Sequence, residues 1–118
     1  MTVREIRDCL NAELECGEEC LEREVFFACG SDLMSDVLAY VGQQTLLLTG
    51  LTNAQVLRTA EMTDVSAIVF VRGKKPGEEL RSMARALGIA LMSTGLTMYE
   101  ACGTLYMQGL PGRMPGHG

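Results

Sequence analysis

The sequence contains no tryptophan, and its single histidine is His117, close to the C-terminus. Histidine is the commonest general base near neutral pH, so this scarcity argues against histidine-based acid–base or triad catalysis. No G-x-S-x-G or G-x-x-x-x-G-K-[ST] motif is present, and no G-x-G-x-x-G follows an apolar run. The usual hydrolase, P-loop and dinucleotide-binding signatures are therefore missing. We expect no catalytic residue and no cofactor.

Long apolar runs are also absent. No stretch approaches the ~20 consecutive apolar residues of a transmembrane helix, and residues 1–5 carry charge where a secretory signal has an apolar run. A chain of 118 residues with 47% hydrophobic and 21% charged residues has the composition of one globular domain. We expect a cytoplasmic domain over residues 1–110, no membrane partner, and a disordered Pro/Gly-rich tail over residues 111–118.

Clustered positive charge is scarce as well. The net charge is −5, and all of this excess arises from the eight acidic and three basic side chains up to Glu24. A nucleic-acid-binding surface needs clustered basic side chains, so we expect no nucleic-acid partner. Residues 72–85 are a local exception, because they hold five bases: Arg72, Lys74, Lys75, Arg81 and Arg85. This segment is either a solvated helix face or a site for an anionic ligand.

Five cysteines are present, an odd number at scattered positions: Cys9, Cys16, Cys20, Cys29 and Cys102. An extracellular disulfide framework normally has an even count. Cys16 and Cys20 have a C-x3-C spacing, but a zinc or iron–sulfur site needs about four soft ligands. Buried cysteines that act as small apolar side chains are the simplest interpretation, and we expect no metal. A cysteine-based metal or redox site stays open as an alternative.

Apolar runs alternate with helical periods along the chain. A short strand is predicted at residues 14–16, and buried strands are predicted at residues 25–29, 45–50, 67–73 and 89–95. Capping boxes predict helices that begin after Thr2, Thr52 and Thr97, and the first of these is expected to end near Glu13. Ser31 is expected to cap a helix over residues 32–41.

Strand–helix–strand units of this length favour a mostly parallel sheet with right-handed crossovers. The strands are apolar throughout, as is typical of a sheet that is covered by helices on both faces. The predicted fold class is therefore α/β. The helix over residues 32–41 has an apolar arc that is wider than one core-facing stripe needs. Its candidate residues for a homodimer contact are Leu33, Met34, Val37, Leu38, Tyr40 and Val41.

Ligands of open α/β sheets bind outside the carboxyl ends of the strands. Here those ends carry glycines, which allow close approach to the backbone, together with hydroxyl and basic side chains. The candidate ligand-binding residues are Ser31, Asp32, Thr49, Gly50, Arg72, Gly73, Lys74, Thr94 and Gly95. The alternative interpretation is that these glycines serve only the geometry of tight turns.

Four stretches of the sequence have a familiar pattern: CGEECLEREV at residues 16–25, GSDLMSDVLA at 30–39, AIVFVRG with KKPGEE at 67–79, and TMYEA at 97–101. On these stretches the chain, from about residue 2 to 110, resembles the DRTGG-domain family. The nearest match to the pentapeptide that names the family is Glu22-Arg23-Glu24-Val25-Phe26, which lacks its paired glycines.

The resemblance implies a fold like the N-terminal domain of HPr kinase/phosphorylase and a regulatory role beside an enzyme. It carries over no catalytic residue. We therefore expect a non-catalytic regulatory or interaction domain, homodimeric, that senses a small anionic ligand and acts with a separate enzyme or signalling protein. One alternative is a nucleotide- or anion-binding domain at the carboxyl edge of the strands. A second alternative is a cysteine-based metal or redox accessory protein of a hydrogenase system.

Overall fold

The structure, a computed structural model, describes residues 1–113, and residues 114–118 lie outside the described part. The described residues form five α-helices and five strands, with a 3-10 helix at Glu18–Cys20 between the first two strands. Their order is α1 Val3–Leu10, β1 Glu13–Cys16, β2 Phe27–Gly30, α2 Met34–Tyr40, β3 Thr45–Thr49, α3 Ala54–Thr63, β4 Ala67–Phe70, α4 Glu78–Leu87, β5 Ala90–Ser93 and α5 Met98–Met107. Within residues 1–113 no helix has both the length and the apolar character needed to cross a membrane.

The strands form one sheet in the order β1-β5-β4-β3-β2. Strands β2 to β5 run parallel, and β1 lies antiparallel to β5 at the edge of the sheet. This architecture confirms the predicted α/β fold with a mostly parallel sheet. Because β1 is antiparallel, its first residue, Glu13, pairs with Ser93 at the end of β5. The start of β1 therefore joins the edge at which the four parallel strands end.

Helices cover both faces of the sheet. One layer packs α1 and α5 on Leu46, Leu48 and Met92, and the other packs α2, α3 and α4 on Leu47 and Ile68. Successive side chains of a strand point to opposite faces, so a strand buried on both faces must be apolar at every position. All five residues of β3 are buried, which explains its three consecutive leucines; the hydroxyls of the flanking Thr45 and Thr49 donate to Gln43 O and Asp32 Oδ1.

Several element boundaries differ from the sequence prediction, among them that β4 ends at Phe70 instead of residue 73 and β5 at Ser93 instead of residue 95. Helix α1 ends at Leu10, because Asn11 adopts a left-handed conformation with a φ of 49°, which asparagine tolerates. Strand β2 starts at Phe27 instead of residue 25, because the preceding segment is held by the N-terminus: Val25 N donates to Met1 O. Helix α2 starts at Met34, and Leu33 replaces Ser31 as its N-cap residue.

The C-terminal segment begins on the outer edge of β2. The carbonyl of Pro111 accepts a hydrogen bond from Ala28 N at 2.9 Å, and the Arg113 guanidinium lies 4.4 Å from the centre of the Phe27 ring. These contacts cover part of an edge strand, which would otherwise expose unpaired backbone groups. The rest of the predicted disordered tail, residues 114–118, lies outside the described residues.

The N-cap of α3 provides a test of the local structure. The prediction placed a capping box at Thr52, but Asn53 is the cap residue, and its side-chain oxygen accepts from Gln55 N at 3.1 Å. We expect Asn53→Ala to lower the free energy of unfolding by about 1 kcal/mol, since the N–H group loses its acceptor. Thr52→Ala is the matched control, with an expected change within about 0.5 kcal/mol. Urea denaturation checks both, and a larger loss for Thr52→Ala would contradict the assignment.

Candidate ligand site at the carboxyl edge of the sheet

The end of β2 and the end of β3 meet through one carboxylate. Asp32 Oδ1 accepts hydrogen bonds from Gly50 N at 2.6 Å and from Thr49 Oγ1 at 3.0 Å. Thr49 and Gly50 are buried, so these donors have little access to water. Two of the donors that the sequence offers to an anionic ligand are therefore already bonded to an anion of the protein itself.

Arg72 completes this group. It follows β4 with a φ of 59°, and its Nη1 lies 3.5 Å from Asp32 Oδ2. Its guanidinium packs over Gly50, where an added Cβ would come within 2.7 Å of Arg72 Cζ, so that any larger residue would displace the arginine. We call Asp32, Thr49, Gly50 and Arg72 the Asp32 cluster.

The Asp32 cluster favours the ionised carboxylate. The Gly50 N–H contributes most, and the Thr49 hydroxyl and the Arg72 charge add to it; together they hold the pKa of Asp32 below its ordinary value. Desolvation opposes this shift without reversing it. Asp32 therefore stays charged at neutral pH and holds the β2 and β3 ends together.

Beside this closed group, the turns after β4 and β5 are joined by backbone hydrogen bonds. Arg72 N donates to Leu96 O at 2.8 Å, and Gly73 N donates to Thr94 O at 2.9 Å. The Thr94 hydroxyl donates to Leu10 O at 2.9 Å and accepts from Leu96 N at 3.3 Å. Thr94 therefore acts as a structural link between the two turns and α1, and its hydroxyl is not free for a ligand.

An open cavity of about 450 Å³ lies next to these turns. We call it the carboxyl-edge cavity; it is lined by Asn11, Ala12, Glu13, Gly73, Lys75, Ser93, Thr94 and Gly95. Three of the nine candidate ligand residues line it: Gly73, Thr94 and Gly95. Asn11, Ala12 and Glu13 were missed because they reach this edge only through the antiparallel direction of β1, which no local pattern indicated.

The charges around the carboxyl-edge cavity are partly neutralised. Lys75 forms an ion pair with Glu13 and lies 3.6 Å from Glu15. Hydrogen bonding to Lys75 lowers the pKa of Glu13, and the same contact raises the pKa of Lys75. Glu15 also accepts from Ser93 Oγ at 2.6 Å. Lys74 is different, because it is exposed and forms no ion pair within residues 1–113.

Ser31 contributes to its own turn. Its hydroxyl accepts from Leu33 N at 3.0 Å, and its backbone N–H donates to Leu48 O at 3.0 Å. The nine candidate residues thus divide into the Asp32 cluster with Ser31, and an open part formed by Gly73, Lys74, Thr94 and Gly95. The sequence indicated one continuous edge and gave no sign of this division.

A second cavity, of about 420 Å³, lies at the opposite, amino edge of the parallel strands. Its one basic side chain is Arg23, whose Nη1 donates to the carbonyls of Ser66 and Gly88 at 3.0 and 2.9 Å. Three acidic side chains also line it: Glu24, Glu61 and Asp64. This cavity is therefore a poorer place for an anion than the carboxyl edge.

The six residues predicted for a homodimer contact divide as well. Met34 and Val37 are buried against the sheet, so they serve the core of the domain. Leu33, Leu38 and Tyr40 are exposed, and Val41 is half-buried. The α2 contact stays a prediction, now restricted to these four side chains.

The cysteines do not converge on a site. Within the part of the chain that the structure describes, no three His, Cys, Asp or Glu side chains are placed to hold a metal ion. All five thiols are free, and burial raises the pKa of Cys16, Cys20, Cys29 and Cys102. A raised pKa keeps a thiol protonated, which disfavours both metal binding and nucleophilic attack.

Comparison with known proteins adds a family and a fold. No curated protein matches the sequence. Among solved structures, the chain is similar to the CBS and DRTGG domains of the regulatory region of Clostridium perfringens pyrophosphatase, solved with the activator diadenosine tetraphosphate. The TM-score is 0.74 at 20% identity over 98% of this chain, which spans about half (51%) of that protein chain. A DRTGG domain is matched over residues 5–106, so the chain belongs to the DRTGG-domain family.

Proposed function

We propose that this chain is a non-catalytic regulatory domain that binds a phosphate-bearing ligand in the carboxyl-edge cavity and acts on a separate enzyme or signalling protein. The observation that carries the proposal is the open cavity at the strand ends, with glycine turns on two sides; Lys74, which follows the lining residue Gly73, forms no ion pair within residues 1–113. Open α/β sheets bind their ligands at this edge. The five free thiols fit a reducing compartment such as the cytoplasm.

The chemistry of the open part suits phosphate. Neither Gly73 nor Gly95 has an atom within 4 Å of an added Cβ, so a ligand can approach the backbone there. Lys74 follows Gly73 directly, and lysine binds phosphate as a point charge. Lys75 and Arg72 are held by carboxylates, so Lys74 is the base of this turn that a ligand can engage without first breaking an ion pair.

The similar pyrophosphatase region supports the class of ligand and the kind of role. That structure shows the regulatory region of an enzyme, and the activator bound in it is a nucleotide with four phosphates. The scarcity of histidine in the present chain fits a domain that senses such a ligand and leaves the chemistry to another protein.

Titration calorimetry with diadenosine tetraphosphate, ATP and inorganic phosphate tests the proposal. We expect Lys74→Ala to weaken binding of the phosphorylated ligand about tenfold or more, because a hydrogen bond to a charged group contributes roughly 1.5–3 kcal/mol. Arg58→Ala is the matched control, since Arg58 is an exposed base on α3 outside the carboxyl-edge cavity. Equal affinities for wild type and Lys74→Ala, or no binding of any of the three compounds, would contradict it.

We also propose that the domain is a homodimer. Eight large apolar side chains of the described residues are exposed: Phe26, Leu33, Leu38, Tyr40, Met62, Tyr99, Tyr106 and Met107. Groups of exposed apolar side chains on one surface mark interaction sites. Six of these eight lie on or beside α2 and α5, so the contact surface is expected on one of these two helices.

A further inference from the structure

Helix α5 presents an apolar stripe to solvent. Tyr99, Tyr106 and Met107 are 84%, 72% and 87% exposed. Their spacing of seven and eight residues places them on one face of the helix. Ala101 and Leu105 are buried on the other face, which packs on the sheet. The three side chains of the stripe therefore do not contribute to the core of the domain.

Gly103 forms a notch in the middle of this stripe. An added Cβ at Gly103 would meet no atom within 4 Å, so the notch opens to solvent. A shallow groove of about 500 Å³ follows the helix here, with Tyr99, Cys102, Tyr106 and Met107 along it. A small residue between large ones allows a second helix to approach the backbone closely.

We propose that a second copy of this chain docks on this face, with the two α5 helices antiparallel and crossing at Gly103. The inference rests on the homodimer proposed above and names its surface. Tyr99 and Met107 lie four residues before and four residues after Gly103. A twofold axis at Gly103 therefore brings Tyr99 of each copy against Met107 of the other, a favourable contact between an aromatic ring and a thioether.

Charge and area both favour a second copy as the occupant. Helix α5 carries one charged residue in ten, Glu100, so a highly charged partner would find at most one counter-charge on this helix. The same apolar stripe on a second copy of the chain needs no counter-charges. With about 150 Å² from each of the three large side chains, the contact buries about 900 Å² in total, which is in the range of weak, reversible interfaces. We therefore expect a dimer that forms at micromolar concentrations.

The exposed fractions favour α5 over α2. On α2, Leu33, Leu38 and Tyr40 are 58%, 49% and 38% exposed, which is well below the values on α5. Asp36 is an exposed carboxylate on α2 and Glu100 is one on α5, so like charge does not distinguish the two surfaces. The larger exposed apolar area is therefore what favours α5.

Two matched glutamate variants separate the surfaces. Gly103→Glu places a charge at the proposed crossing point, and glutamate is a better helix former than glycine, so the fold is expected to persist. Ala39→Glu places the same charge on the exposed face of α2. Sedimentation velocity at rising protein concentration gives the mass of each variant, and circular dichroism confirms that each is folded.

We expect the wild type and Ala39→Glu to reach twice the chain mass of 12.8 kDa at high micromolar concentration. Gly103→Glu is expected to raise the dimer dissociation constant at least tenfold. A folded Gly103→Glu that dimerises like the wild type overturns the α5 contact but leaves the homodimer intact. A wild type that stays monomeric throughout overturns both, whereas ligand binding is judged separately by calorimetry.

Discussion

Replacing Gly17 with alanine is expected to lower the free energy of unfolding by about 3 kcal/mol or more. Gly17 has a φ of 98°, and its added Cβ would lie 2.7 Å from Ala90 Cα and 2.9 Å from Ala90 Cβ. Ala90 is fully buried in β5, between β1 and β4, so its backbone has no room to retreat. Backbone strain of about 1 kcal/mol or more adds to an overpacking cost of about 1–3 kcal/mol.

Gly88→Ala is the matched control for this prediction. Gly88 has a φ of 72° at the end of α4, but an added Cβ there meets no atom within 4 Å. Only the backbone strain remains, and a loss of about 1 kcal/mol is expected. Urea denaturation followed by circular dichroism measures both variants. Equal decreases in the free energy of unfolding for Gly17→Ala and Gly88→Ala would contradict the close approach of Gly17 to β5.

Asp32→Ala is expected to lower the free energy of unfolding by about 2–3 kcal/mol, which is a large effect for an exposed carboxylate. The substitution leaves the buried N–H of Gly50 and the buried hydroxyl of Thr49 without their acceptor. Asp32→Asn keeps a side-chain oxygen for these donors and loses mainly the attraction to Arg72. That attraction is partly screened by water, because both side chains are nearly half exposed, and we expect a loss of only about 0.5–1 kcal/mol.

The pH dependence of unfolding gives a second measurement on the same variants. The pKa of Asp32 is lower in the folded state, so its charge stabilises the fold at pH values above the ordinary carboxyl pKa of about 3.9. This stabilisation is lost as the pH falls through the lower, folded-state pKa. Asp32→Asn should therefore lose less stability than the wild type between neutral and acidic pH. An identical acid dependence in both proteins would contradict the geometry of the Asp32 cluster.

The sheet and its helices were predictable because their signals are local. Unbroken apolar runs indicated strands buried on both faces, and Thr2 and Thr97 cap α1 and α5 as their sequences indicated. The start of a helix was harder to predict where two neighbouring residues can both act as its N-cap. Thr52 and Asn53 are both good N-cap residues, and the local sequence does not distinguish between them.

The sequence predicted which edge of the sheet carries the candidate site, but not which of its residues are free to contact a ligand. Parallel strands necessarily bring their carboxyl ends together, so the residues after β2, β3, β4 and β5 had to lie near one another. Gly50 N and Thr49 Oγ1 donate to Asp32 because its side chain points toward them. No sequence pattern predicts that side-chain direction. The same contact draws Asp32 away from α2, which fits the start of this helix at Met34 instead of residue 32.

Backbone amide chemical shifts, recorded while diadenosine tetraphosphate or ATP is added to the ¹⁵N-labelled chain, test the central claim most directly. The proposed function predicts that the largest shifts occur at Gly73, Lys74 and Gly95, around the carboxyl-edge cavity. Shifts centred on Ser66 and Gly88 would place the ligand in the cavity at the amino edge. That result, or spectra that do not change at all, would contradict a phosphate site at the carboxyl edge.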